Sequence, residues 1–243
     1  MQPIFSILQQ VDSTNNYAMA AIRTGNAIDG SCWFTHHQTK GKGQRGKLWE
    51  NEADKNIAMS VIVKPKVAFA HNLFILNAFV AITVRTFCEK YTGKNGFTIK
   101  WPNDIYFGDK KAAGILIENL VVEQAVRFSI IGVGINVNQK GFNKDLPNAT
   151  SLHIITGENF QPVELAKELH QEIISNMERI NEVKVIDSYN NHLYKKLEQV
   201  RLKYQSASFQ TTIKSVNNFG QLITNDVLER TFNFGEVEWE IGK

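Results

Sequence analysis

A lysine that ends an apolar run beside an abrupt chain reversal is well placed to meet an anion. Ile99-Lys100-Trp101-Pro102-Asn103-Asp104 is such a stretch, followed by Lys110-Lys111-Ala112-Ala113-Gly114-Ile115-Leu116-Ile117-Glu118. The proline and the Asn-Asp pair stop the first run and the paired lysine opens the second. This predicts strand, tight turn, strand, with cations at the mouth of the turn. An ammonium is a compact charge with three donors, suited to a carboxylate or a phosphate. Taken alone, the segment is equally a hairpin with a solvated lysine.

A second segment, His37-Gln38-Thr39-Lys40-Gly41-Lys42-Gly43-Gln44-Arg45-Gly46-Lys47-Leu48-Trp49, alternates glycines with cations. Glycines let the backbone bend and present N–H groups to an anion, and the basic side chains add field. The spacing matches neither the Walker A pattern nor the dinucleotide fingerprint. A solvated basic loop is the bland alternative. Near the start, Val11-Asp12-Ser13-Thr14-Asn15-Asn16 leads into Tyr17-Ala18-Met19-Ala20-Ala21-Ile22. There Asp12 or Ser13 is expected to cap a helix. Ile130-Ile131-Gly132-Val133-Gly134-Ile135-Asn136-Val137-Asn138 reads as a strand with two glycines where a ligand or another backbone can come close. The amide of Asn136 offers a donor and an acceptor to a purine edge; a glycine-bulged core strand explains the same residues.

The elements that must position these groups follow from periodicity. Strands are expected over residues 4–11, 31–37, 56–64, 97–101, 112–118 and 125–138, with a helix over 14–24. Residues 71–91 carry Leu73, Leu76, Val80, Val84 and Phe87 at helical spacing, and Pro162 opens a helix whose stripe is Leu165, Leu169, Ile173 and Met177. Residues 187–200 read as a shorter helix. After Val200, short alternating segments separated by Asn and Gly turns predict a small β-module that leans on the main domain.

Composition sets outer bounds. The 243 residues are 43% hydrophobic, enough for a sizeable core, and 27 basic against 24 acidic residues leave a charge of only +3. No general affinity for nucleic acid or membranes follows from that balance. Cys32 and Cys88 lack metal or redox spacing and are expected to be buried, reduced thiols. No charged-then-apolar leader opens the chain and no apolar run is long enough for a bilayer, so a cytoplasmic chain is expected.

Taken in order, the four segments resemble the biotin protein ligases, or biotin–[acetyl-CoA-carboxylase] ligases. The likeness spans residues 4–140 most strongly. It implies an α+β fold: a mixed sheet packed with helices, like the catalytic domain of class II aminoacyl-tRNA synthetases, over residues 1–198, and a small SH3-like barrel over 199–243 with its last strand at Gly235-Glu236-Val237. It implies ATP-dependent formation of biotinyl-AMP and transfer to a lysine of a biotin carboxyl carrier domain, with Mg²⁺ sharing the phosphate charge. By the resemblance Lys100 is the catalytic residue, touching biotin and nucleotide alike. Ser13, Thr14 and Gln38 meet the ureido ring and Asn15 borders it. Lys42, Gly43, Gln44, Gly114, Gly132 and Gly134 complete the biotin site; Lys42, Arg45, Lys47, Lys100 and Asn136 serve the nucleotide. The basic loop closes over the adenylate. Metal ligands and the base for the carrier lysine stay unassigned; Asp104 is a candidate base or a brace of the turn. The family often pairs through the sheet edge, so a homodimer stays open. The eleven residues before Asp12 are too few for the DNA-binding unit of some members, so no DNA partner is expected.

The chain departs from the family's Gly-Arg-Gly-Arg loop start by carrying Lys42 and Gln44. Lysine keeps the charge and loses the fork; Gln44 removes a charge where the family retains its adenylate. Three rivals are a lipoate–protein ligase, which also carries an Asn-Asp and Lys-Lys-x-x-Gly-like stretch, a non-catalytic vitamin- or nucleotide-binding module, and a nucleic-acid binder. The Trp101-Pro102 pair, the basic loop and the C-terminal β-module favour biotin over lipoate.

Overall fold

The computed structural model describes residues 4–50, 52–64, 72–178 and 180–240. Its centre is β3 (Ile57–Val63), buried at every residue. A strand covered on both faces reads as a continuous apolar run rather than an alternating one. β1 (Phe5–Val11), β2 (Cys32–Gln38), β4 (Phe97–Lys100), β5 (Asp104–Phe107), β6 (Lys110–Val122) and β7 (Ala125–Ile135) complete a seven-stranded mixed sheet in the order β1-β2-β3-β7-β6-β5-β4. Only β1 and β2 run parallel. One face carries α1 (Thr14–Arg23), whose Ala18 and Ile22 pack with Trp33, Ile62 and Ile130.

The other face holds the main core. α2 (Leu73–Thr92) buries Ile75, Ala78, Phe79 and Ala81 as well as the predicted stripe positions Leu76, Val80, Val84 and Phe87. Its burial exceeds one stripe because further elements cover it. Gly93, in the left-handed region at φ 61°, ends it. The His71 start expected for this helix lies outside the described residues. A one-turn α3 (Leu152–Thr156) escaped the sequence reading, capped by Ser151, whose hydroxyl accepts from Ile154 N. α4 (Pro162–Met177) begins at its proline and buries Leu165, Leu169 and Ile173. Each such aliphatic side chain removed from water contributes about 1.5–3 kcal/mol.

The helix expected over 187–200 is instead α5 (Glu182–Asn191) followed by a turn and a strand. Asn181 caps it by accepting from Lys184 N. After it, backbone pairing takes over: Ile99 N donates to His192 O and Tyr194 N donates to Ile99 O. Lys195 and Leu197 adopt positive φ, which ends any helix. The predicted hairpin after Lys100 is really two, because Asp104–Phe107 forms β5 between the Trp101–Asn103 turn and the Gly108-Asp109 turn.

β8 (Gln199–Tyr204), β9 (Ala207–Val216), β10 (Leu222–Asn225), β11 (Glu229–Phe232) and β12 (Val237–Trp239) form an antiparallel sheet in the order β11-β10-β9-β8-β12. Its edge strands are not paired with each other, so among the described residues the sheet is open. The final strand begins at Val237 rather than at Gly235. Leu202, Ile213, Leu222 and Val237 belong to the same buried cluster as the main core. Asn190 clasps Val216 on both sides, donating to its O at 2.9 Å and accepting from its N at 2.7 Å. Trp101 Nε1 donates to Gly220 O at 2.9 Å.

Candidate functional site

Every site residue named from the sequence lines one cavity of about 470 Å³. The N-terminus of α1 lines it with Ser13, Thr14 and Asn15. The expected local cap is not made: Ser13 occupies the capping position without a side-chain bond. Asp12 instead accepts from Ser13 N and from Asn16 Nδ2, which holds its carboxyl below the usual range. The cap comes across the sheet, because Gln38 Oε1 accepts from Thr14 N at 2.9 Å and from Thr14 Oγ1 at 3.2 Å. Ser60 of β3, fully buried, lies 2.7 Å from Thr14 Oγ1 and donates to Asn15 Oδ1 at 2.6 Å. Asn15 Nδ2 donates to Glu118 Oε2 at 2.7 Å. A buried network in which each member is satisfied holds one geometry.

The glycines of β6 and β7 make room for side chains from other elements. A Cβ on Gly132 would lie 2.4 Å from Asn15 Oδ1, and one on Gly134 would lie 2.4 Å from Trp49 Cε2. One on Gly114 would lie 3.1 Å from both Trp49 Cζ3 and Lys111 Cε. The basic loop folds back on itself: Gly43 N donates to Lys47 O at 2.7 Å, Trp49 N to Gly41 O at 2.9 Å, and Lys47 N to Gln44 O at 3.1 Å. Those three N–H groups are therefore committed within the loop. Arg45 takes the left-handed conformation at φ 55° and its guanidinium approaches Gly235 of the C-terminal sheet. Lys42 reaches Glu118 at 3.3 Å, a half-exposed pair worth little by itself.

Lys100 stands at the end of β4 with its ammonium in the cavity. Burial pulls it down to about 8; Asp104 opposes that and Lys111 and Lys47 add to it. Asp104 is paired with Lys111 at 2.7 Å. Asn136 is buried, and its Nδ2 donates to Thr150 O at 2.9 Å. Sequence reasoning missed Trp49, Tyr106, Phe234 and Trp239, which also line the cavity. Trp49 stood inside a segment already singled out; the other three carry no local signal. Three buried polar atoms of the lining, Gln44 Oε1, Trp49 Nε1 and Trp239 Nε1, have no protein partner. Such atoms are costly unless something polar meets them.

Elsewhere the thiols are buried and free, with Cys88 pushed up to about 12 by burial and Cys32 also raised. Among the described residues no three His, Cys, Asp or Glu side chains converge as a metal site, and no helix is long and apolar enough to cross a membrane.

Residues 7–136 match the family model described as the biotin/lipoate A/B protein ligase family. A bifunctional ligase/repressor BirA from Bacillus spizizenii is 35% identical over 157 residues, 63% of this chain and 47% of that protein. A biotin--[acetyl-CoA-carboxylase] ligase from Mycobacterium tuberculosis is 34% identical over 150 residues, 60% of this chain and 53% of that protein. The chain thus spans about half the length of the curated relatives it matches. The solved biotin protein ligase from Aquifex aeolicus in complex with biotin and ATP superposes with a TM-score of 0.80 at 24% identity, covering 97% of this chain and 98% of that one.

Proposed function

The chain belongs to the biotin/lipoate A/B protein ligase family, and from that premise we propose that it is an ATP-dependent biotin–protein ligase. The biotin carboxylate attacks the α-phosphorus of ATP. A carboxylate–phosphorus bond forms, the bond to the bridging oxygen breaks, and pyrophosphate leaves. The amine of a lysine on a biotin carboxyl carrier domain then attacks the acyl carbon; AMP leaves and the nitrogen gives up a proton. The carrying observation is that four segments scattered over residues 12–138 converge on one cavity around Lys100.

Bringing a carboxylate to a triphosphate crowds negative charge, so donors must face the reacting oxygens in advance. Lys100 is the catalytic residue and meets both the carboxylate and the α-phosphate. Ser13, Thr14 and Gln38 hold the ureido ring, with Asn15 fixed beside them by Ser60 and Glu118. Asn136 and Trp49 face the adenine. Lys42, Arg45 and Lys47 draw the loop over the adenylate and keep water out. Asp104, already paired with Lys111, supports the turn and leaves deprotonation of the carrier lysine to another group. The described residues offer no protein-built Mg²⁺ cage; a cation on the triphosphate enters as part of the substrate. The C-terminal sheet, β8 to β12, belongs in this reading to the family's SH3-like module over residues 199–243, attached to a catalytic domain over 1–198.

The test is direct. The protein is mixed with ATP, Mg²⁺, a biotin carboxyl carrier domain and either biotin or lipoate, and the carrier is weighed by mass spectrometry. One added biotinyl group, absent with lipoate and absent with Lys100→Ala, is expected. An unmodified carrier with biotin, or a lipoylated one, refutes the proposal.

A further inference from the structure

The ammonium of Lys100 is bounded by rings. Its Nζ lies 5.4 Å from the centroid of Tyr106 in β5 and 5.3 Å from the centroid of the Trp239 indole in β12. A third ring holds the two together: Tyr194 lies 5.1 Å from Tyr106 and 5.6 Å from Trp239. Tyr194 is itself anchored, its hydroxyl donating to Asp109 Oδ1 at 2.7 Å. The charged groups acting on the ammonium are Asp104 of β5, Lys111 of β6 and Lys47 of the basic loop. Asp104 is committed to Lys111, and no carboxylate among the described residues forms an ion pair with Lys100. Tyr106 is un-ionised at neutral pH, since burial raises its phenol, and an indole does not titrate.

We propose that Trp239 is a positioning residue for Lys100: with Tyr106 it forms an aromatic cage that holds the ammonium at the cavity without a competing carboxylate. The face of an aromatic ring attracts a cation yet offers it no proton acceptor, so the N–H donors stay available to substrate oxygens. The same rings displace water, consistent with the low value of this ammonium. The role of the cage in adenylation rests on the ligase reading; the cage itself does not.

The test reads Lys100 directly. Competitive acetylation of the full chain at a series of pH values, with peptide mass spectrometry, gives the titration of this one amine. Trp239→Phe keeps a ring and is expected to titrate as the parent does. Trp239→Ala admits water and is expected to move the midpoint upward by about one pH unit, because desolvation is what lowers it. The alkaline limb of biotin-dependent pyrophosphate release should move with it, while kcat/KM near neutrality falls about 3–10-fold as the cation loses its seat. A midpoint unchanged in Trp239→Ala overturns the proposal. Should that variant not fold, Trp239→Gln takes its place with the same expected shift. A shifted titration without biotin-dependent pyrophosphate release leaves the cage standing and sinks the ligase reading. An unshifted one in an active ligase sinks the cage alone.

Discussion

Gly132→Ala adds one methyl group at the most crowded point of the site. The new Cβ would lie 2.4 Å from Asn15 Oδ1, 3.1 Å from its Cγ and 3.0 Å from Leu116 O. Asn15 is 3% exposed and cannot swing aside without loosening its bonds to Ser60 at 2.6 Å and Glu118 at 2.7 Å. Overpacking a core costs about 1–3 kcal/mol and weakening a buried bond to a charged group about 1.5–3 kcal/mol. Alanine restricts the unfolded chain and returns about 0.4–1 kcal/mol. The balance is a destabilisation of about 3 kcal/mol, or a fall in Tm of about 6–12 °C for a chain of this size. Thermal melts followed by circular dichroism measure the loss of stability, and titration calorimetry with biotin measures the effect on the cavity that Asn15 lines. Asn15→Ala removes the clashing atom, so the double variant should lose less than the sum of the singles by about 1 kcal/mol. If Gly132→Ala melts within about 2 °C of the parent and binds biotin equally well, the account of this network is wrong.

Gln44 is proposed to weaken retention of the adenylate, and its Oε1 is buried without a protein partner. Gln44→Arg should slow release of biotinyl-AMP in single-turnover trapping; an unchanged rate removes the idea. His170 is buried, with Nε2 2.6 Å from Gly30 O. Burial holds its imidazole below the ordinary value, and the bond to Gly30 opposes that. The unfolded chain therefore binds the proton more readily. Stability is fully present above the unfolded value of about 6.5 and is lost as pH falls below it toward the folded value. Urea midpoints measured downward from neutrality should decline in that window, and His170→Gln should flatten the decline. An identical slope in both proteins would exclude His170 as the source. Carboxylates held below their usual range, such as Asp109 beside Tyr194, release their share only at lower pH.

The sequence was legible where a signal is local. The Lys100 turn, the glycine-rich loop, the proline start of α4 and the mostly apolar β3 each announce themselves within a dozen residues, and the structure draws the named groups into one cavity. It was misleading where tertiary pairing overrides local preference. Residues 193–197 look helical, yet backbone bonds to Ile99 pull them into a turn with positive φ at Lys195 and Leu197. The cap of α1 shows the same effect, since Gln38 supplies from the next strand what Asp12 or Ser13 was expected to give. A division of labour explains which site residues were found. Groups that bring charge or hydrogen bonds need a particular atom at a particular place, so they come with glycines and turns that a reader can see. Groups that exclude water need only a ring of suitable size, and any strand the topology brings near can offer one. Tyr106 and Trp239 look like ordinary core aromatics in the sequence, and only the pairing of β12 with β8 delivers Trp239 to Lys100. The environment that sets the charge of the Lys100 amine is thus written in the long-range contacts of the chain, whereas the amine itself is written in its motif.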